Sequence, residues 1–139
     1  MAGDNARKVA ASLEAFNRGD YDAAFEFADP DAEWVLPPAL SADTCAGVDA
    51  IREFWDGLRE AFAHVHVEPQ SFEEEGGFVV TELTVEGTGA GSGLPIGTRL
   101  HALTSFREDG RWHRVEWFLD RRALLDAGRR SRSGGRVGP

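Results

Sequence analysis

Cysteine, lysine and tyrosine each occur once in this chain of 139 residues, as Cys45, Lys8 and Tyr21. A single cysteine excludes an internal disulfide and any structural zinc site built on cysteine. No stretch approaches the roughly 20 consecutive apolar residues that span a bilayer, so no membrane partner is expected. The opening MAGDNARK has no apolar run behind a basic region, so no signal peptide is expected and the chain reads as cytoplasmic. There is no GxSxG elbow. Gly87, Gly89, Gly91 and Gly93 lack both the GxGxxG spacing and a following helix, so they mark a loop and not a phosphate cradle. No cofactor is expected.

Net charge is −9, and it is unevenly spread. The segment Arg129–Pro139 holds four arginines and no acid, so the chain's −9 less the tail's +4 leaves −13 on residues 1–128. A body that acidic repels phosphate backbones, which argues against nucleic-acid binding. The tail is expected to be disordered. Four Trp and nine Phe stand in the chain, and 42% of its residues are hydrophobic. One domain over residues 1–128 can therefore bury roughly two-thirds of its unfolded surface.

Periodicity supplies the order of elements. Asn5–Arg18 repeats its apolar residues near helical spacing and meets Gly19. A second short helix is expected from Asp20 through Phe27, closed by Asp29-Pro30. Glu33–Leu36 reads as a brief strand and Ala39–Gly47 as a loop. Ile51, Phe54, Trp55, Leu58 and Phe62 then form an apolar stripe, which predicts a long helix over Val48–Phe62. From Val65 the pattern turns to strands: Val65–Phe72, Phe78–Glu86, Arg99–Arg107 and Trp112–Leu119. Gly76-Gly77 and Glu108-Asp109-Gly110 mark turns, and Asp120–Ala127 reads as a short closing helix before Gly128. Helices followed by strands place the chain in the α+β class, with a curved antiparallel sheet wrapped around the long helix.

Five short pieces stand in a characteristic order. They are Asn17-Arg18-Gly19-Asp20, Asp31-Ala32-Glu33-Trp34, Gly47 through Phe54, Asp109-Gly110-Arg111, and Phe118-Leu119-Asp120 leading to Ala127-Gly128. In this the chain resembles the nuclear transport factor two-like superfamily, including the SnoaL-like polyketide cyclases. The resemblance implies a cone-shaped α+β barrel with an apolar cavity at its open end, often dimeric. It also implies where relatives keep their chemistry. The base, tyrosine and acid of ketosteroid isomerase-like members fall on Leu36, on Ser12 and near Ala102. The Asp–Arg–Asp set of epoxide hydrolase-like members falls near Leu83, Val85 and Trp117, and Trp117 also takes the place of the cyclases' acid–base Asp.

Strand alternation points the same way. On Phe78–Glu86, Val79, Thr81, Leu83 and Val85 share a face, and on Trp112–Leu119, His113, Val115, Trp117 and Leu119 do. The less charged faces should turn inward, because an unpaired carboxylate there costs several kcal/mol or is neutralised. The expected pocket lining is Trp34, Leu36, Phe54, Trp55, Leu58, Leu83, Val85, Leu100, Ala102, Thr104, Val115 and Trp117. The bland alternative is that these side chains simply fill the cone.

Polar candidates are few. His113 has inward parity and titrates near neutral pH. Asp43 lies in the loop over the expected cavity mouth. Arg99 and His101 oppose Leu100 and Ala102, so they belong outside, and Glu116 is expected to meet Arg114 or a dimer partner. His64 and His66 have no recognisable third ligand, so no metal site is expected. Three readings stay open: a cofactor-free acid–base enzyme of isomerase, cyclase or hydrolase type on a small hydrophobic metabolite, a non-catalytic domain binding a small hydrophobic molecule, or a dimerisation module. A homodimer is expected through the outer sheet face around Trp112, Glu116 and Phe118.

Overall fold

A computed structural model describes residues 3–37, 44–89 and 95–126. The first helix, α1 (Asp4–Arg18), ends where Gly19 adopts the left-handed conformation at φ 74° and its N–H reaches back to Ala15 and Phe16. Its start is held by Glu74, whose carboxylate accepts from the Ala6 N–H at 2.8 Å. Helix α2 covers only Tyr21–Ala24, with the Asp20 side chain accepting from Ala23, so it is shorter than expected.

Strand β1 (Ala28–Val35) runs through the Asp29-Pro30 pair that was expected to be a helix stop. Proline lacks an N–H and is tolerated where ladder bonding is interrupted, and the register of β1 shifts between Ala28 and Glu33. The expected loop contains a two-residue strand, β2 (Cys45–Ala46), paired to β1. Gly47, at φ 90°, then turns the chain into α3 (Val48–Ala61), and Phe62 leaves the helix to begin β3 (Phe62–Glu75). Strands β4 (Phe78–Gly89), β5 (Pro95–Phe106) and β6 (Trp112–Phe118) follow. Residues 121–126 are helical, opened by Asp120 accepting from the Ala123 N–H.

The six strands form one sheet in the order β2-β1-β6-β5-β4-β3. The β1–β6 pair is parallel, which corrects the purely antiparallel expectation. These strands lie far apart in sequence, so no hairpin constrains their direction. The inner face carries Val79, Thr81 and Leu83, all 0% exposed, beside Leu100, Ala102 and Thr104. Helix α3 packs against β1, β2 and β3, and α1 against β3 and β4. The core is one cluster running from Ala6 to Trp117.

Besides the Glu74 contact, two more fix α1 on the sheet and its β5–β6 turn. Asn17 donates from Nδ2 to the Val67 carbonyl at 2.9 Å and accepts the Val67 N–H at 2.8 Å, imitating a neighbouring strand on the edge of β3. At the other end Lys8, the chain's sole lysine, donates to the Gly110 carbonyl at 2.8 Å and lies 5.2 Å from the Phe27 ring centre. Removing the amide leaves two backbone groups of Val67 without partners. Asn17→Ala is therefore expected to lower unfolding free energy by about 1–3 kcal/mol, read as a shifted urea midpoint at unchanged m-value.

Candidate functional site

A cavity of about 270 Å³ opens between α3 and the concave face of the sheet. Its wall comes from three sources. Helix α3 and its exit give Phe54, Trp55, Leu58 and Phe62; β1 and its end give Trp34 and Leu36; the sheet gives Val67, Val85, Thr98, Leu100 and Trp117. The pairings Val67–Val85 and Val85–Thr98 align three of these in one row across β3, β4 and β5. Burial grades from Trp34 and Trp55, each 4% exposed, to half-buried Leu36, Phe54, Leu58 and Phe62 and exposed Thr98. The open end therefore lies near Phe62 and Thr98, and the closed end at the tryptophans.

Eight of the twelve expected lining residues border this cavity: Trp34, Leu36, Phe54, Trp55, Leu58, Val85, Leu100 and Trp117. The other four, Leu83, Ala102, Thr104 and Val115, lie deeper, around a space of only about 30 Å³ that also touches Ser12, Thr81 and Trp112. Trp34 and Trp117 border both spaces. Their rings meet edge to face at 5.1 Å and 65°. The cone is thus filled at its narrow end and hollow at its wide end, a division that alternation alone does not resolve. Phe62, Val67 and Thr98 were missed as lining. Phe62 stood on the helical stripe, whereas Val67 and Thr98 enter through strand register.

None of the described lining residues is titratable. Thr98 supplies the one hydroxyl. The indole N–H groups of Trp34, Trp55 and Trp117 are buried without a hydrogen-bond partner, as is the Thr81 hydroxyl at the narrow end. Asp43 lies outside the described residues.

His113 does not take its expected place. Ser105 pairs with Arg114 and Phe106 with Trp112, so His113 is the extra residue of a β-bulge in β6. The bulge reverses side-chain parity: Trp112, 3% exposed, turns inward with Val115 and Trp117. That also removes Trp112 from the expected dimer face. His113 instead lies in the electrostatic surroundings of Arg107, Asp29, Arg114 and Glu33, with a buried Nδ1 that has no partner. Around it Arg107 binds Asp29 at 2.8 Å and Arg114 lies 3.5 Å from both Glu33 and Glu116. His101 is on the outer face, as expected, but only 7% exposed. His66 meets Glu68 at 2.9 Å, and no group of three or more His, Cys, Asp or Glu placed to hold a metal exists among the described residues. No helix among them is long and apolar enough to cross a membrane.

The His113 imidazole is held below its ordinary value of 6.5, first by burial and then by Arg107, with Asp29 opposing. The native state therefore binds fewer protons than the unfolded chain in this range. Stability from the neutral ring is complete above the unfolded value and declines as pH falls through the lowered native value. Asp29 is also held low, chiefly by the Asp31 N–H, but from an ordinary value of 3.8, so its window lies in stronger acid. His113→Gln is expected to lose less stability than the parent chain between pH 7.5 and 5, measured as urea midpoints across that series.

Comparison with known proteins adds to this geometry. The family model described as the SnoaL-like domain matches residues 9–115. Similar solved structures include an NTF2-like protein of unknown function from Burkholderia pseudomallei, 24% identical, TM-score 0.76, with 90% of this chain and 97% of that chain covered. TerC, crystallised with polyporic acid, is 25% identical at TM-score 0.76 over 89% of this chain and 97% of its own. The epoxide hydrolase/cyclase-like enzyme SalBIII is 21% identical at TM-score 0.70, covering 84% and 91%. No protein of curated function matches the sequence.

Proposed function

The chain belongs to the SnoaL-like family, and from that premise we propose that it binds a small, hydrophobic, ring-bearing molecule in the cavity between α3 and the sheet. The observation that carries this reading is a hollow of about 270 Å³ whose described wall is apolar apart from Thr98 and the indole nitrogens. Ligand sites of globular proteins have this character, a concave apolar surface with a few polar groups. Indole and phenyl faces favour planar partners through offset and edge contacts. The likeness to TerC, crystallised with polyporic acid, supports a ring-bearing ligand.

Acid–base turnover finds less support. Proton transfer needs a titratable group within hydrogen-bond reach of the reacting atom. The described wall has none, and the bulge carries His113 to other surroundings. Leu36, Ser12, Ala102, Leu83, Val85 and Trp117 stand at or near the positions that the family resemblance implies for catalytic groups, and none of them ionises near neutral pH. Binding is accordingly the reading we favour over isomerase, cyclase or hydrolase chemistry.

Titration calorimetry with 2-naphthol tests it. One saturable site is expected in the parent chain. Leu58 is half-buried and lines the cavity, so Leu58→Trp fills space without burying a charge. That variant is expected to weaken binding by about tenfold or more, equivalent to about 1.4 kcal/mol, with its melting temperature retained. Equal affinity in the two proteins would overturn the assignment to this cavity.

A further inference from the structure

We propose that the Trp34–Trp117 pair is a depth stop that sets ligand size, restricting this cavity to molecules with an apolar part of about two fused rings. The inference rests on the ligand-binding reading above and adds a specificity determinant to it. The two indoles are the wall shared by the hollow end and the filled end of the cone. They touch edge to face at 5.1 Å, are 4% and 8% exposed, and Phe16 backs Trp34 at 5.5 Å. A ligand entering past Phe62 and Thr98 therefore ends against braced rings.

What lies behind the pair is small. Register sets Ala102 beside Trp117 and Thr81 beside Ala102, and Thr104 beside Val115. Short side chains in these places leave room for the Trp117 indole and would leave a hollow without it. The space remaining there is about 30 Å³, room for about two water molecules. Ahead of the pair, about 270 Å³ is available. An apolar cavity of about 150 Å³ accepts one benzene ring, so the cavity here matches two fused rings and not four. Thr98, the one lining hydroxyl, sits at the exposed end. The polar end of the ligand accordingly faces outward and its rings face the tryptophans.

Equilibrium dialysis against phenol, 2-naphthol and 1-hydroxypyrene, which share one hydroxyl and differ in ring number, tests the inference. The parent chain is expected to favour 2-naphthol over 1-hydroxypyrene. Trp117→Ala joins the two spaces and is expected to shift the affinity ratio toward 1-hydroxypyrene by about tenfold or more, the scale on which pockets discriminate by size. Trp117→Phe should shift it in the same direction by less, and carries the comparison if Trp117→Ala does not melt cooperatively. An unchanged ratio in the folded variant, with 2-naphthol still bound, overturns the depth stop alone. Failure of the parent chain to bind any of the three overturns the ligand-binding reading and the depth stop with it.

Discussion

The narrow end of a curved sheet has to be filled, and here aromatic rings do it. Phe16 of α1 lies 5.5 Å from Trp34 and 5.2 Å from Trp55, and Trp34 lies 5.1 Å from Trp117. One ring from the first helix thus touches the first strand and the long helix, and through Trp34 the last strand. Each such pair contributes about 0.5–1.5 kcal/mol beyond its buried area. The position of α3, the closure of the cone and the floor of the cavity all depend on this junction. Aromatic side chains suit it because they fill a large volume in few rotamers, so the space they leave has a defined shape.

The second organising feature is the bulge at His113. One additional residue in β6 turns Trp112 inward and takes His113 to the Arg107–Asp29 pair. Without it the narrow end would lose an indole and gain an imidazole. Charged side chains are correspondingly gathered elsewhere, with Glu82 near Arg99 and Arg114 between Glu33 and Glu116. The segregation explains how a chain of net charge −9 encloses a wall with no titratable side chain among its described residues. Burying an ion there without a partner would cost several kcal/mol, and these charged residues stand away from the described wall.

Much of the fold was legible. The α3 stripe, the Gly19 stop and the period-2 runs of β4, β5 and β6 are local signals, and the structure contains the corresponding elements. The failures are equally physical. Helix α2 stopped early and β1 began early because strand pairing with β6 outweighed a weak local helix signal around Phe25–Phe27. Strand β2 has two residues and exists only through β1. The parity of His113 failed because alternation presumes an unbroken ladder, and a single inserted residue reverses every side chain beyond it.

Sequence alone determined the class of the fold and its apolar inner face. These follow from periodicity and residue type, which are properties of short segments. Tertiary structure decided which inward residues surround space and which fill it. Leu83 and Leu100 pair directly across β4 and β5, yet only Leu100 borders the larger cavity. That distinction depends on the volume left over when α1, α3 and six strands converge. Leftover volume is a sum over residues distant in sequence, and no local pattern encodes it.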